Sequence, residues 1–177
     1  MEKRNTKSGG KNTNRNGLSY ENHTNLDSEY DIVEKNLHSI QIQFRKNPEK
    51  NFLMTSKKKF LKCVEYDSTI SKAHGCKQPD EVYIDESRSI IFILEKKFQQ
   101  CGGSVCEKIQ SVNFKMYHFQ KLIPDYKICY IYCLSDWFKH NCKAELEYFD
   151  HEKIPYFWGN DKNYKEKIVD FILEYKS

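Results

Sequence analysis

The most apolar stretch of the chain, IIFIL at 90–94, is followed directly by Glu95, Lys96 and Lys97. Together with EVYID at 81–85, it predicts two antiparallel strands, 81–85 and 89–98, joined by a short polar turn at 86–88. A second apolar run, KICYIYCL at 127–134, is typical of a strand buried on both faces. These runs require a sheet that is covered by helices.

The remaining segments predict mainly helices. Tyr30, Val33, Leu37, Ile40 and Phe44 have helical spacing, which predicts a helix from Ser28 that ends before Pro48. We expect a second short helix from Thr55 or Ser56 towards Gly75, a helix opened by Ser104 and stopped by Pro124, one at 136–148, a short strand at 154–158 and a closing amphipathic helix at 161–176. This order predicts an α/β fold, with a central mixed β-sheet flanked by helices and a mostly helical N-terminal part.

Charge and polarity divide the chain unevenly. Residues 1–27 offer little to bury, so we expect a disordered basic tail there, followed by a single domain over 28–177. Residues 1–62 carry 13 Lys and Arg against 7 Asp and Glu, a balance of +6, whereas the whole chain carries +4. This asymmetry fits a polyanionic partner, although lysines that only solubilise a surface would give the same count.

No segment has the roughly 18–20 consecutive apolar residues of a membrane helix, and the first thirty residues contain no apolar secretion signal. We therefore expect an intracellular, cytoplasmic protein without a membrane partner. The 7 cysteines show no repeated CxxC spacing. Buried or incidental reduced thiols explain them best, and a zinc site built from Cys101, Cys106 and a histidine is the weaker interpretation.

Three charged residues of the predicted hairpin can carry chemistry. Asp80 begins the first strand, and Glu95 and Lys97 share one face of the second strand because side chains alternate along it. The hairpin therefore gathers two carboxylates and an ammonium. Carboxylate oxygens are ligands that Mg²⁺ prefers, and a bound Mg²⁺ can activate water for attack on a phosphodiester. The lysine could hold the phosphate or help to deprotonate that water.

The motif also resembles a known family. Pro79-Asp80, an apolar strand and then Glu95-Lys96-Lys97 look like the signature of the PD-(D/E)XK nucleases, the restriction-endonuclease-like superfamily. The resemblance covers roughly residues 77–138 and is greatest to small type II restriction endonucleases. It implies that Asp80 and Glu95 bind Mg²⁺, that Asp80, Glu95 and Lys97 are catalytic, and that the substrate is double-stranded DNA.

Each of these residues also has an ordinary structural interpretation. Glu95, Lys96 and Lys97 can be a solvated strand end, and Asp80 can cap a turn after Pro79. Asp85 and Glu86 are rival carboxylates, at the turn end of the hairpin. Further candidates are Glu65 as an additional carboxylate, Gln99 on the face of Glu95 and Lys97, and a set of lysines that can contact the DNA backbone: Lys58, Lys59 and Lys62.

Two classes of function remain open from the sequence. The first is a metal-dependent endodeoxyribonuclease, either a type II restriction enzyme or a repair, junction-resolving or homing nuclease. The second is a nucleic-acid-binding module without catalysis, for which a complete set of Asp80, Glu95 and Lys97 would be unexpected. Cutting two strands predicts a homodimer. The aromatic- and Asn-rich segment 147–164 is our candidate for contacts with bases.

Overall fold

The computed structural model describes residues 9–73, 78–100 and 105–176. Its centre is a seven-stranded sheet whose strands lie side by side in chain order. The first five strands pair antiparallel, and the last two are added in parallel. The predicted α/β fold with a mixed sheet flanked by helices is therefore confirmed. The strands are β1 (Tyr30–Lys35), β2 (Ile40–Phe44), β3 (Asn51–Thr55), β4 (Glu81–Asp85), β5 (Ile90–Lys97), β6 (Lys127–Leu134) and β7 (Tyr156–Trp158).

Six α-helices are found in the described ranges, together with two short 3-10 helices. They are α1 (Gly9–His23), α2 (Val105–Gln110), α3 (Val112–Leu122), α4 (Trp137–Asn141), α5 (Lys143–His151) and α6 (Tyr164–Glu174), with the 3-10 helices at Asp27–Glu29 and Lys57–Lys62.

The sheet separates two hydrophobic cores. Alternate residues of β5 point to opposite faces, so Ile91 and Ile93 enter one core while Phe92 and Leu94 enter the other. The first core is covered by α2 to α5 and the basic 3-10 helix, which contributes Phe60. The second core is covered by α1 and α6. This double burial explains why β4, β5 and β6 are nearly uniformly apolar.

The predicted helix from Ser28 is wrong, because this segment forms the β1–β2 hairpin. Ile42 and Phe44 are fully buried, while Gln41 and Gln43 alternate with them, so the local period is two rather than 3.6. Leu37 lies in the turn, where its side chain is 82% exposed. β-Branched and aromatic residues favour this extended conformation.

The prediction of a disordered tail at 1–27 is wrong for the part that the structure describes. Residues 9–23 form α1, and Tyr20, Thr24 and Leu26 are buried. Tyr20 packs against Phe98, with ring centroids 5.3 Å apart, although the segment around Tyr20 is mostly polar. Helical stability here comes from packing of one face rather than from intrinsic propensity. Residues 1–8 lie outside the described part.

The prediction of a mostly helical N-terminal part is therefore also wrong, since α1 is followed by three antiparallel strands. The predicted second helix is reduced to the 3-10 helix Lys57–Lys62, and β3 was not predicted. Further along, β4 to β7 and α6 confirm the predicted order. The long helix predicted to follow β5 is divided at Ser111 into α2 and α3, and its predicted cap, Ser104, lies outside the described residues.

The cysteines only partly match the prediction. Cys129 and Cys133 are buried free thiols, as expected from their apolar strand. Cys106 and Cys142 instead form a disulfide between α2 and the start of α5, with their Cα atoms 6.0 Å apart. Glu145 lies within 4.8 Å of this pair, but sulfurs bonded to each other are not available as thiolate ligands. Cys76 and Cys101, the latter part of the weaker zinc interpretation, are outside the described residues.

None of the helices in residues 9–73, 78–100 and 105–176 combines the length and the apolar character needed to cross a lipid bilayer. The longest, α1, is 15 residues long and polar in composition.

The difference between a helix and a hairpin at residues 28–46 can be tested by two matched substitutions. Phe44→Ala should lower the free energy of unfolding by about 3–5 kcal/mol, because a buried ring is replaced by a cavity. Leu37→Ala should change it by less than about 0.5 kcal/mol, because this side chain is exposed. Both residues belong to the apolar face of the rejected helix. Equal losses in urea unfolding would therefore contradict the hairpin.

Candidate functional site

The pairing of β4 with β5 brings Asp80 next to Glu95. Glu81 pairs with Leu94, so one further step along the two antiparallel strands places Asp80 opposite Glu95. Residues directly opposite each other project from the same face of a sheet. The backbone N–H of Lys96 donates a hydrogen bond to Asp80 Oδ2 at 2.8 Å, which fixes this carboxylate at the strand end.

Glu95 is the best-anchored member of the cluster. Its side chain is nearly buried, and Lys97 Nζ lies 2.6 Å from Oε1. Lys115 of α3 approaches the same oxygen at 3.4 Å, and the Tyr130 hydroxyl donates to Oε2 at 3.1 Å. Burial on its own raises the pKa of Glu95, but Lys97 and Lys115 outweigh it and leave the pKa below its usual value. Glu95 is therefore ionised at neutral pH.

Lys97 keeps its proton in this environment. Burial lowers the pKa of Lys97, but the charges of Glu95 and Asp80 raise it above its usual value. The idea that Lys97 helps to deprotonate a water is therefore not favoured in the metal-free cluster. A protonated lysine beside two carboxylates is better suited to holding a phosphate oxygen.

Asp80 is the member of the cluster whose ionisation is least favoured. Burial, and then the nearby charge of Glu95, raise the pKa of Asp80 to about 6, while Lys97 and the Lys96 N–H oppose this shift. Ionisation of Asp80 is thus less favourable than that of a solvated carboxyl group, and a further positive charge nearby would favour it. A divalent cation held between Asp80 and Glu95 would supply that charge, so these residues fit a Mg²⁺ site.

The secondary candidates are distributed unevenly around this cluster. Glu65 is exposed beyond the 3-10 helix, and no hydrogen bond or ion pair among the described residues joins it to Asp80, Glu95 or Lys97. Gln99 is tied by its backbone to the Ser135 hydroxyl at the ends of β5 and β6. The rival Asp85 is fully buried in an ion pair with Arg88 at the turn end of the hairpin, where Glu86 is exposed.

The basic 3-10 helix is directly adjacent to the Pro-Asp motif. Lys58, Lys59 and Lys62 are exposed on it, while Phe60 anchors it in the core. The backbone N–H of Lys57 donates to the Pro79 carbonyl at 2.8 Å, which joins the start of this helix to the residue before Asp80. The three predicted lysines therefore form an exposed patch beside the cluster.

Sequence reasoning missed three residues around the cluster: Glu21, Lys115 and Tyr130. Tyr130 could have been found, because alternation along β6 places it on the face of Glu95. Lys115 and Glu21 lie on helices, and nothing within the motif indicates where these helices pack against the sheet. Glu21 of α1 raises the pKa of both Asp80 and Lys97, and its Oε2 lies 3.7 Å from Lys57 Nζ.

A groove of about 420 Å³ continues from the end of β5. It lies between the strand ends and α4 and carries both aromatic and amide side chains, including Phe98, Gln100, Trp137 and Asn160. Of the predicted base-contacting segment 147–164, only Asn160 lines this groove, whereas Phe149 is buried in the core. A larger cavity, about 710 Å³, lies away from the cluster, at the start of α6.

The raised pKa of Asp80 gives a test of stability in metal-free buffer. Below pH 3.8 Asp80 is protonated in both states, and between that value and about pH 6 the folded state binds more protons, so Asp80 lowers stability as the pH rises. Asp80→Asn should therefore raise the free energy of unfolding by about 1–3 kcal/mol at about pH 8 and change it little at about pH 3.5. Urea unfolding in EDTA measures this difference. An equal or destabilising effect at the higher pH would contradict it.

Comparison with known proteins finds no match to this chain. No protein-family model matches it. The curated proteins and the solved structures likewise give no match.

Proposed function

We propose that the chain is a Mg²⁺-dependent endodeoxyribonuclease with a restriction-endonuclease-like core, of the type II restriction class. The observation that carries this proposal is the convergence of Asp80, Glu95 and Lys97 on one face at the end of the β4–β5 hairpin. Two carboxylates and a lysine at one strand end are the groups that metal-assisted phosphodiester hydrolysis needs.

The arrangement of elements supports the same proposal. The β4–β5 hairpin is followed by α2 and α3, and then by the buried strand β6 that pairs parallel to β5. This is the order that the resemblance to PD-(D/E)XK nucleases implies for residues 77–138. In the present chain the unit is extended by β1 to β3 on one side and by β7 on the other.

Each residue of the cluster has a separate role in the proposed reaction. Asp80 and Glu95 would hold Mg²⁺, which when bound provides a water of lowered pKa and neutralises developing negative charge. Lys115 and Tyr130 fix the two oxygens of Glu95, so this carboxylate cannot rotate away. The Lys97 ammonium, 2.6 Å from Glu95, would bind the scissile phosphate beside the proposed cation site.

The exposed lysines next to Asp80 support double-stranded DNA as the substrate. Lys58, Lys59 and Lys62 can neutralise backbone phosphates, and these interactions provide affinity that is independent of sequence. The groove beside Phe98 and Trp137 is the proposed region for contacts with bases. Cleavage of both strands would need two such sites, so the proposal includes a homodimer.

Cleavage assays with purified protein test the catalytic proposal. Plasmid and genomic DNA should be cut in Mg²⁺ and left intact in EDTA. Lys97→Ala should reduce the rate on the order of 100-fold or more, because it removes a positive charge next to the reacting phosphate. Lys108→Ala is the matched control, since Lys108 is an exposed lysine of α2.

The form of the products separates the alternatives. Discrete fragments support a type II restriction enzyme, and a smear or a preference for branched DNA supports a repair, junction-resolving or homing role. A folded wild-type protein that binds DNA but leaves every form uncut with Mg²⁺ or Mn²⁺ would contradict catalysis and favour the binding module.

The DNA-binding patch gives a separate prediction. Replacing Lys58, Lys59 and Lys62 together with Ala should weaken DNA binding and make it less sensitive to salt. The slope of log K against log salt should fall by about 0.9 for each DNA phosphate that a lysine no longer neutralises. Lys143, Lys153 and Lys176 are exposed elsewhere, so their triple Ala variant is a control with the same charge change. Fluorescence anisotropy at several salt concentrations measures both. Equal slopes for the two variants would contradict a specific role for the 3-10 helix.

A further inference from the structure

Lys96 lies between Glu95 and Lys97 but points to the opposite face of the sheet. Only 4% of this residue is exposed, and its neighbours on that face of β5 are the buried side chains of Phe92 and Leu94. A charged ammonium in an apolar core is unfavourable unless it is paired and hydrogen-bonded. Its partners therefore indicate why a lysine occupies this position.

The first partner of Lys96 is Glu81, the residue after Asp80. Lys96 Nζ lies 2.5 Å from Glu81 Oε1, and both side chains are almost completely buried. The Tyr83 hydroxyl donates to the other oxygen, Oε2, at 2.7 Å. The ion pair is thus hydrogen-bonded at both oxygens of the carboxylate.

The second partner of Lys96 is the main chain of α1. Lys96 Nζ donates to the carbonyl oxygen of Glu21 at 2.9 Å. Glu21 lies in the last turn of α1, where backbone carbonyls lack intrahelical partners and a positive charge is favourable. Lys96 therefore caps the end of α1 and joins it to the strand that carries the candidate site.

The side chain of the same glutamate approaches the candidate site. Glu21 is 28% exposed, and its carboxylate lies 3.7 Å from the ammonium of Lys57, whose backbone N–H bonds to Pro79. The negative charge of Glu21 also acts on Asp80 and Lys97. The carbonyl that Lys96 holds and the carboxylate that lies at Lys57 thus belong to one residue.

We propose that Lys96 is a positioning residue: its buried pair with Glu81 and its bond to the Glu21 carbonyl dock α1 on β5 and hold the Glu21 carboxylate at Lys57, beside the Pro79-Asp80 segment of the candidate site. The Lys96 backbone N–H orients Asp80 at the same time. This inference rests on the proposed function, because it makes Glu21 a neighbour, and not a ligand, of the proposed cation site.

The experiment removes the buried pair as a unit, since removal of one partner alone would leave an uncompensated charge. The test variant is Lys96→Met with Glu81→Gln, which keeps the Lys96 N–H and an acceptor for Tyr83. The matched control is Arg88→Met with Asp85→Asn. Arg88 pairs with Asp85 and bonds to the carbonyls of Ile172 and Tyr175 at the end of α6, so it makes an equivalent connection at the far end of the hairpin.

Three measurements follow the connection to Glu21. In the test variant, trypsin should cut α1 after Arg15 about ten-fold faster than in wild type, because the helix is released. The Mg²⁺ concentration for half-maximal cleavage should rise on the order of ten-fold, as it should in Glu21→Gln. The variant that combines all three substitutions should need no more Mg²⁺ than Glu21→Gln, because residues that act through one another are not additive.

Several outcomes would overturn the role of Lys96: an unchanged Mg²⁺ requirement in a folded test variant, effects that multiply in the combined variant, or an equal rise in the control. The Mg²⁺-dependent increase in the thermal midpoint gives the same comparison without cleavage. If Mg²⁺ stabilises the wild type but no DNA is cut, the nuclease proposal fails while Lys96 is judged on this shift. If neither Mg²⁺ nor Mn²⁺ shifts the midpoint, the positioning role fails as well.

Discussion

The hydrogen-bonded register between β4 and β5 determines where every charge in the centre of the sheet lies. With Glu81 opposite Leu94, the alternation of side chains sends Asp80, Glu95 and Lys97 to one face and Glu81 and Lys96 to the other. A slip of β4 by one residue would move Asp80 away from the face of Glu95 and Lys97 and Glu81 away from Lys96, and so separate both groups of charges. The five paired positions of this hairpin therefore specify the polar cluster as much as they stabilise the sheet.

The charges of the cluster are stabilised by the residues and strands around it rather than by the two carboxylates themselves. The pKa of Asp80 is raised by burial and by the charge of Glu95, whereas Glu95 is stabilised as an anion by two lysines and a tyrosine hydroxyl. Such a pair of carboxylates with opposite pKa shifts is typical of sites that bind a ligand or carry out chemistry. The adjoining strands β5 and β6, whose side chains are almost entirely buried, provide the rigid support that an unfavourable local charge needs.

The sequence predicts the centre of this molecule better than its beginning, for a physical reason. β5 and β6 are apolar on both faces, so only a sheet covered on both sides can bury them. The short turn between β4 and β5 makes β4 the antiparallel neighbour of β5. At residues 28–46 the apolar positions fit both a helix and a hairpin, and only packing against Tyr83 and its neighbours decides between them. The helix α1 is stabilised by tertiary contacts of Tyr20, so its polar composition carried no signal and Glu21 was missed.

Lys96 and Lys97 show how far such reasoning can reach. The two residues are identical and adjacent, and composition cannot distinguish them, but strand alternation gives them opposite partners. Lys96 is enclosed by Glu81, Tyr83 and the end of α1, and this pairing suits a structural role. Lys97 is 22% exposed and shares Glu95 with Lys115. A cation bound to Glu95 would weaken its hold on Lys97, and the freed ammonium would then be available to an anionic substrate at the same strand end.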